Sequence, residues 1–176
     1  LPGTDIKMNM TLNDFIPEES NSAALPKENK ILLASADKNF KTSMKKSESS
    51  GNYMVVNSEG YMGAYQFGDA RLKDYKNATG KDFTQQEFLE DQKLQDEVFS
   101  WHTNDIVTYV NNKGLDKYIG KEINGVLVTL NGLVAVAHLG GKNGMAKFLS
   151  TNGKYNPADS NGTTLTNYLN KFKLTE

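Results

Sequence analysis

The protein has 176 residues, with 20 Lys and Arg against 21 Asp and Glu, a formal net charge of −1 and no cysteine. That length suits one domain with a real core. The near-neutral balance leaves no basic field to hold nucleic acid, and no apolar run reaches the ~18–20 residues of a membrane-spanning helix. Without cysteine there is neither a disulfide nor thiolate chemistry. His102 and His138 are the two histidines and lack zinc-ligand spacing, so no metal and no cofactor are expected.

Residues 1–29 hold Pro2, Pro17 and Pro26, three of the four prolines, around a polar string with no sustained apolar period. They read as a polar linker or tail with little fixed structure, ahead of a domain over residues 30–176. From Glu28 onward, Ile31, Leu32, Ala36, Phe40 and Met44 recur at helical spacing and lead straight into Glu48, which puts that carboxylate at the C-terminal end of a helix. Two short apolar and aromatic runs then flank the turn residues Asn57 to Gly60, predicting a small β-wing beside Glu48. Asp69 to Tyr75 reads as a short helix that Asp69 would cap, with Gly80 closing a loop. Thr84 and Glu87 form a capping-box signature that opens one long helix through Phe88, Leu94, Val98, Trp101 and Val107. Adjacent helical residues cannot share a face, so Trp101 is expected in the core in preference to His102. Gly114 and Gly120 punctuate loops and Asn124-Gly125 marks a turn. Leu130 to Leu139 is apolar nearly all round and predicts a buried helix that Gly140-Gly141 ends. Two short helices, near residues 144–149 and 163–172, complete a mainly α, α+β pattern.

Several of these stretches resemble a known superfamily. Glu48-Ser49-Ser50-Gly51-Asn52, Gly60-Tyr61-Met62-Gly63-Ala64-Tyr65-Gln66-Phe67-Gly68 and Ala137-His138-Leu139-Gly140-Gly141 occur in this order. Together they look like the goose-type lysozyme and soluble lytic transglycosylase superfamily, in its phage-type peptidoglycan hydrolase branch. The ending from Asn156 to Leu169 is similar to the Asp-x-x-Gly-Thr-Ser-Leu-x-x-Tyr close of such phage domains. The resemblance runs from Ile31 to Phe172. It implies a lysozyme-like helical domain whose β-wing flanks a substrate cleft, with the glycan strands of peptidoglycan as partner. The setting it implies is periplasmic, extracellular or virion-associated, in some cases within a larger virion or secretion-system protein.

Glycosidic cleavage needs a proton on the departing oxygen. A Glu at an electronegative helix end, facing aromatic walls, is the kind of group that stays protonated near neutral pH. Glu48 is the candidate acid. A two-carboxylate enzyme needs a partner some 5–9.5 Å away, and Glu59 and Asp69 are the sequence-near options, each with a bland alternative as a turn residue or helix cap. With no second acid evident, the lytic transglycosylase route is expected: Glu48 as both acid and base, forming anhydro-muramyl ends. The alternatives are a muramidase that activates water through Glu59 or Asp69, and an inactive glycan-binding or virion-structural domain. By the resemblance, Gln66 hydrogen-bonds substrate, Tyr65 and Tyr61 offer faces or hydroxyls to the sugars, His138 lines the cleft and Tyr168 orients Glu48. Tyr65 and His138 could equally be packing residues.

Overall fold

The computed structural model describes residues 27–173, with side chains described from Lys38 onward; of the expected tail over residues 1–29, residues 1–26 lie outside the described residues, and 27–29 are helical, against the expectation of little fixed structure. Six α-helices lie within them: α1 (Lys27–Ser49), α2 (Asp69–Thr79), α3 (Gln85–Glu90), α4 (Gln92–Asn112), α5 (Leu130–Ser150) and α6 (Leu165–Phe172). A 3-10 turn at Leu115–Tyr118 and a two-stranded antiparallel hairpin, β1 (Glu122–Ile123) with β2 (Val126–Leu127), complete the set. The architecture is therefore mainly helical with a small sheet. The chain gathers into two compact units, Lys41–Asn104 and, among the described residues, 27–40 with 105–173. Helices α1 and α4 each give residues to both.

In the unit Lys41–Asn104, α1 ends at Ser49, where Ser50 and Gly51 turn left-handed at φ 56° and 81°. The Gly51 N–H reaches back to the Lys45 carbonyl at 3.0 Å, satisfying one of the carbonyls that a helix end leaves open. The wing follows, but its pairing is confined to the single bridges Val56–Met62 and Met62–Phe67. Asn57 organises the expected turn, its Oδ1 accepting the N–H groups of Glu59 and Tyr61 at 2.9 Å each. Helix α2 starts at Asp69 after the cap residue Gly68, so Asp69 lies in the first turn and does not cap it. It also runs past Tyr75 to Thr79, where left-handed Gly80 ends it.

The long helix expected from Thr84 is two. The capping box forms as read, with Thr84 Oγ1 accepting from the Glu87 N–H at 3.2 Å and Glu87 Oε2 from the Thr84 N–H at 2.6 Å. Asp91, at φ −106° and ψ 92°, then breaks the helix. Its carboxylate accepts the Leu94 N–H at 2.9 Å and so caps α4. Trp101 and His102 are both buried, at 7% and 5% exposure, against the expectation that only Trp101 would be. Within this unit α4 has aromatic company on both sides: Phe67 sets its ring edge-on to His102 at 5.2 Å, and Tyr75 lies against Trp101 at 5.5 Å. Arg71 of α2 closes the cluster, donating from Nε to His102 Nδ1 at 2.8 Å with its guanidinium 4.3 Å from the Trp101 ring centre.

In the second unit, α5 is buried from Leu130 to Ala137, as the apolar run predicts. Gly141, at φ 76° and ψ 166°, is non-helical and divides α5 into two helical stretches, so the buried helix stops at the Gly140-Gly141 pair as expected and a second stretch runs on to Ser150. Helix α6, capped by Thr164, lies against α5. A methyl group on Gly132 would meet Leu169, and one on Gly140 would meet Leu165, so these two glycines on one face of α5 allow the close approach. Phe40 sets its ring edge-on to Phe172 at 5.8 Å. The Asn124-Gly125 turn, left-handed at both residues with φ 50° and 75°, suits a two-residue hairpin. Asn124 Nδ2 pins it by donating to the Gly153 carbonyl at 3.1 Å and to Thr166 Oγ1 at 3.0 Å.

Candidate functional site

Glu48 occupies the last turn of α1, partly buried, as the apolar spacing of that helix predicts. The next residue ties this helix end to the wing. Ser49 Oγ lies 2.9 Å from the Ala64 carbonyl and 3.2 Å from that of Lys45, and its single proton serves the shorter contact. The Glu-Ser-Ser-Gly-Asn stretch and the Gly63-Ala64-Tyr65-Gln66 turn are thus joined within one unit. Gly63, at φ 79°, begins that turn. The Gln66 N–H donates to the Gly63 carbonyl at 3.2 Å, and Gln66 Nε2 donates to the same oxygen at 3.0 Å. Gln66 holds a left-handed φ of 55°, uncommon for a residue with a side chain. The residue is half-buried.

The other expected residues divide. Tyr65 is fully buried, its ring stacked on Phe99 at 4.2 Å and its hydroxyl donating to Asp96 at 2.6 Å. That burial gives its ring to the interior and corrects the expectation of a sugar-facing surface. Tyr61 is 44% exposed on the wing, with Met54 and Val56 also exposed. Glu59 and Asp69 are both exposed, in the Asn57–Gly60 turn and the first turn of α2. His138 of α5 is half-buried, and Tyr168 of α6 is buried with its ring 5.5 Å from Phe172. Both belong to the second unit.

Two residues of α4 shape the surroundings of Glu48 without any signal in spacing or motif. Gln95 is fully buried. Its Oε1 accepts the Ala64 N–H at 2.8 Å, and its Nε2 lies 2.9 Å from both the Tyr53 and the Phe88 carbonyls. One amide therefore holds wing, α3 and α4 together. Asp96 accepts the hydroxyls of Tyr65 and Tyr53, the latter at 3.0 Å, and lies 3.9 Å from the Lys45 ammonium. Farther along, burial pushes the Tyr75 hydroxyl well above its usual range, and its hydrogen bond to Glu97 adds to this. Burial also pushes the Glu97 carboxyl up, but hydrogen bonds from Lys81 and Tyr75 and the charges of Lys81 and Lys93 outweigh it and hold Glu97 below the usual range.

An open groove of about 630 Å³ lies along α3 and α4, lined by residues that include Lys81, Phe83, Glu87, Leu94 and Glu97. Its charges are largely engaged: Lys81 pairs with Glu97, Lys76 with Asp82 at 3.2 Å, and Glu87 closes the capping box. Among the described residues no group of three or more His, Asp or Glu is placed to hold a metal ion, and no helix is long and apolar enough to cross a membrane. Comparison with known proteins finds no matching family model, curated relative or solved structure.

Proposed function

We propose that this chain is a lytic transglycosylase of the lysozyme-like type, cleaving the MurNAc–GlcNAc bond of peptidoglycan with Glu48 as its single catalytic carboxylate. The observation that carries the reading is the Ser49–Ala64 hydrogen bond of 2.9 Å. It joins the helix end bearing Glu48 to the Gly-x-x-Gln turn bearing Gln66, the two blocks in which the sequence resembles that superfamily. The exposure of Glu59 and Asp69 favours one carboxylate over two, since a solvated turn residue is poorly held for attack.

In the proposed sequence the protonated Glu48 gives its proton to the glycosidic oxygen as the bond to C1 of MurNAc breaks. The 2-acetamido oxygen of the same sugar bonds to C1 and carries the developing positive charge. The Glu48 carboxylate next removes the proton from the C6 hydroxyl, O6 bonds to C1, and the acetamido oxygen leaves. Glu48 ends protonated and no water is consumed. Gln66 and Tyr61 are the proposed sugar contacts. The setting is periplasmic, extracellular or virion-associated. Glu48→Ala should cut turbidity loss of purified sacculi by ~10²–10⁴ with an unchanged circular dichroism spectrum. Activity above a tenth of the parent's would show that Glu48 is the wrong residue.

A further inference from the structure

One oxygen of Asp96, on α4, gathers three groups. Its Oδ1 accepts from the Tyr65 hydroxyl at 2.6 Å and from the Tyr53 hydroxyl at 3.0 Å. Lys45 Nζ donates to the Tyr53 oxygen at 2.8 Å and lies 3.9 Å from the same Asp96 oxygen. The ammonium also faces both rings, 5.2 Å from the centre of Tyr53 and 5.9 Å from that of Tyr65. Lys45 is thus held by an anion, a hydroxyl and two π faces.

Lys45 stands three residues before Glu48 on α1, and residues at that spacing are neighbours on a helix surface. An ammonium free to swing there would pair with the Glu48 carboxylate and favour its ionised form, whereas a general acid must arrive at the substrate carrying its proton. We infer that Asp96 is a positioning residue for the proton chemistry at Glu48: with Tyr53 and Tyr65 it draws the Lys45 ammonium toward α4 and away from the acid. The inference rests on Glu48 being the acid proposed above. The groups against that ammonium include Tyr53 and Tyr65 from the wing and Asp96 from α4, and the charged residues beside Lys45 in the α1 sequence are Lys41, Lys46 and Glu48. With the Asp96 charge removed, the carboxylate that helical spacing puts within reach of Lys45 along α1 is Glu48.

The test is the pH dependence of turnover on purified sacculi for the full chain and its variants. Asp96→Asn keeps an oxygen able to accept both tyrosine hydroxyls and removes only the charge. Its alkaline limb should move down by about one pH unit, with turnover on that limb falling roughly tenfold. Adding Lys45→Met to Asp96→Asn should return the limb to the parent's position, a rescue that a merely structural role would not produce. Lys45→Met alone should leave the limb in place or move it up, which keeps the inference testable if Asp96→Asn fails to fold. An unmoved limb in Asp96→Asn, a double variant no better than the single, or a downward shift in Lys45→Met would each overturn it. Glu48→Gln separates the two levels. A dead Glu48→Gln with an unmoved Asp96→Asn limb removes only the role of Asp96, whereas an active Glu48→Gln removes the catalytic reading itself.

Discussion

Gln95 has no exposed surface, and its amide is fully committed to the backbone of the wing and of α3. Replacing it by Leu leaves the Ala64 N–H buried without its acceptor, which should cost ~1–3 kcal/mol for that group alone. The shift should appear in the urea midpoint, and a midpoint equal to the parent's would mean the wing is held by other contacts. Gly63 is the companion case. A Cβ there would collide with the Gln95 amide and approach Phe88 to 3.2 Å, at a φ of 79° that side chains rarely adopt. Gly63→Ala should therefore destabilise by at least ~1–3 kcal/mol, read from the same midpoint, and a neutral effect would contradict the packing described. The Gly63 and Gln66 pattern is visible in the sequence because both residues fall in one short run that resembles a known motif. Gln95 and Asp96 are not, because a polar residue on a helix reads as solvated until its partner, some thirty or more residues away in the chain, is brought to it.

The same limit holds for whole elements. The run into Glu48 and the Thr84 capping box are local signals, and both form as read. The break at Asp91 escapes such reading because Phe88, Leu94 and Val98 continue an apolar pattern across it, while Asp91 ends α3 and caps α4 at once. Gly140-Gly141 is legible by contrast, since Gly141 leaves helical geometry where a glycine pair makes that cheap. Between α2 and α4, Glu97 links Tyr75 to Lys81, and this contact has a defined pH dependence. The folded state holds the Glu97 carboxyl below its ordinary range, so the unfolded chain binds its proton more readily. Its contribution to stability is present above the unfolded value of ~4.3 and is lost as pH falls through the lower folded value. Glu97→Gln should unfold at lower urea than the parent at pH 7, and the gap should narrow toward pH 3. A gap that stays constant with pH would mean that Glu97 acts through packing and not through its charge.

At the scale of the molecule, the helical class is readable from periodicity, whereas the regular hairpin lies at Glu122–Leu127, where only the Asn124-Gly125 turn is legible, and the expected wing is made of single bridges. Division into two compact units was not readable, because α1 and α4 run through both and no composition shift marks the boundary. Of the candidate site, the block holding Glu48 and the turn holding Gln66 come together in one unit, as their motif order suggests. Tyr65 turns inward because its hydroxyl has Asp96 and its ring has Phe99 to meet. The measurement that bears most directly on the central claim is mass spectrometry of muropeptides released from purified sacculi by the parent protein and by Glu48→Gln. Products from the parent should end in the anhydro form, one water lighter than a hydrolase's products and resistant to borohydride, and Glu48→Gln should release almost none. Reducible ends throughout the parent digest, or equal release by Glu48→Gln, would contradict a single-carboxylate transglycosylase centred on Glu48.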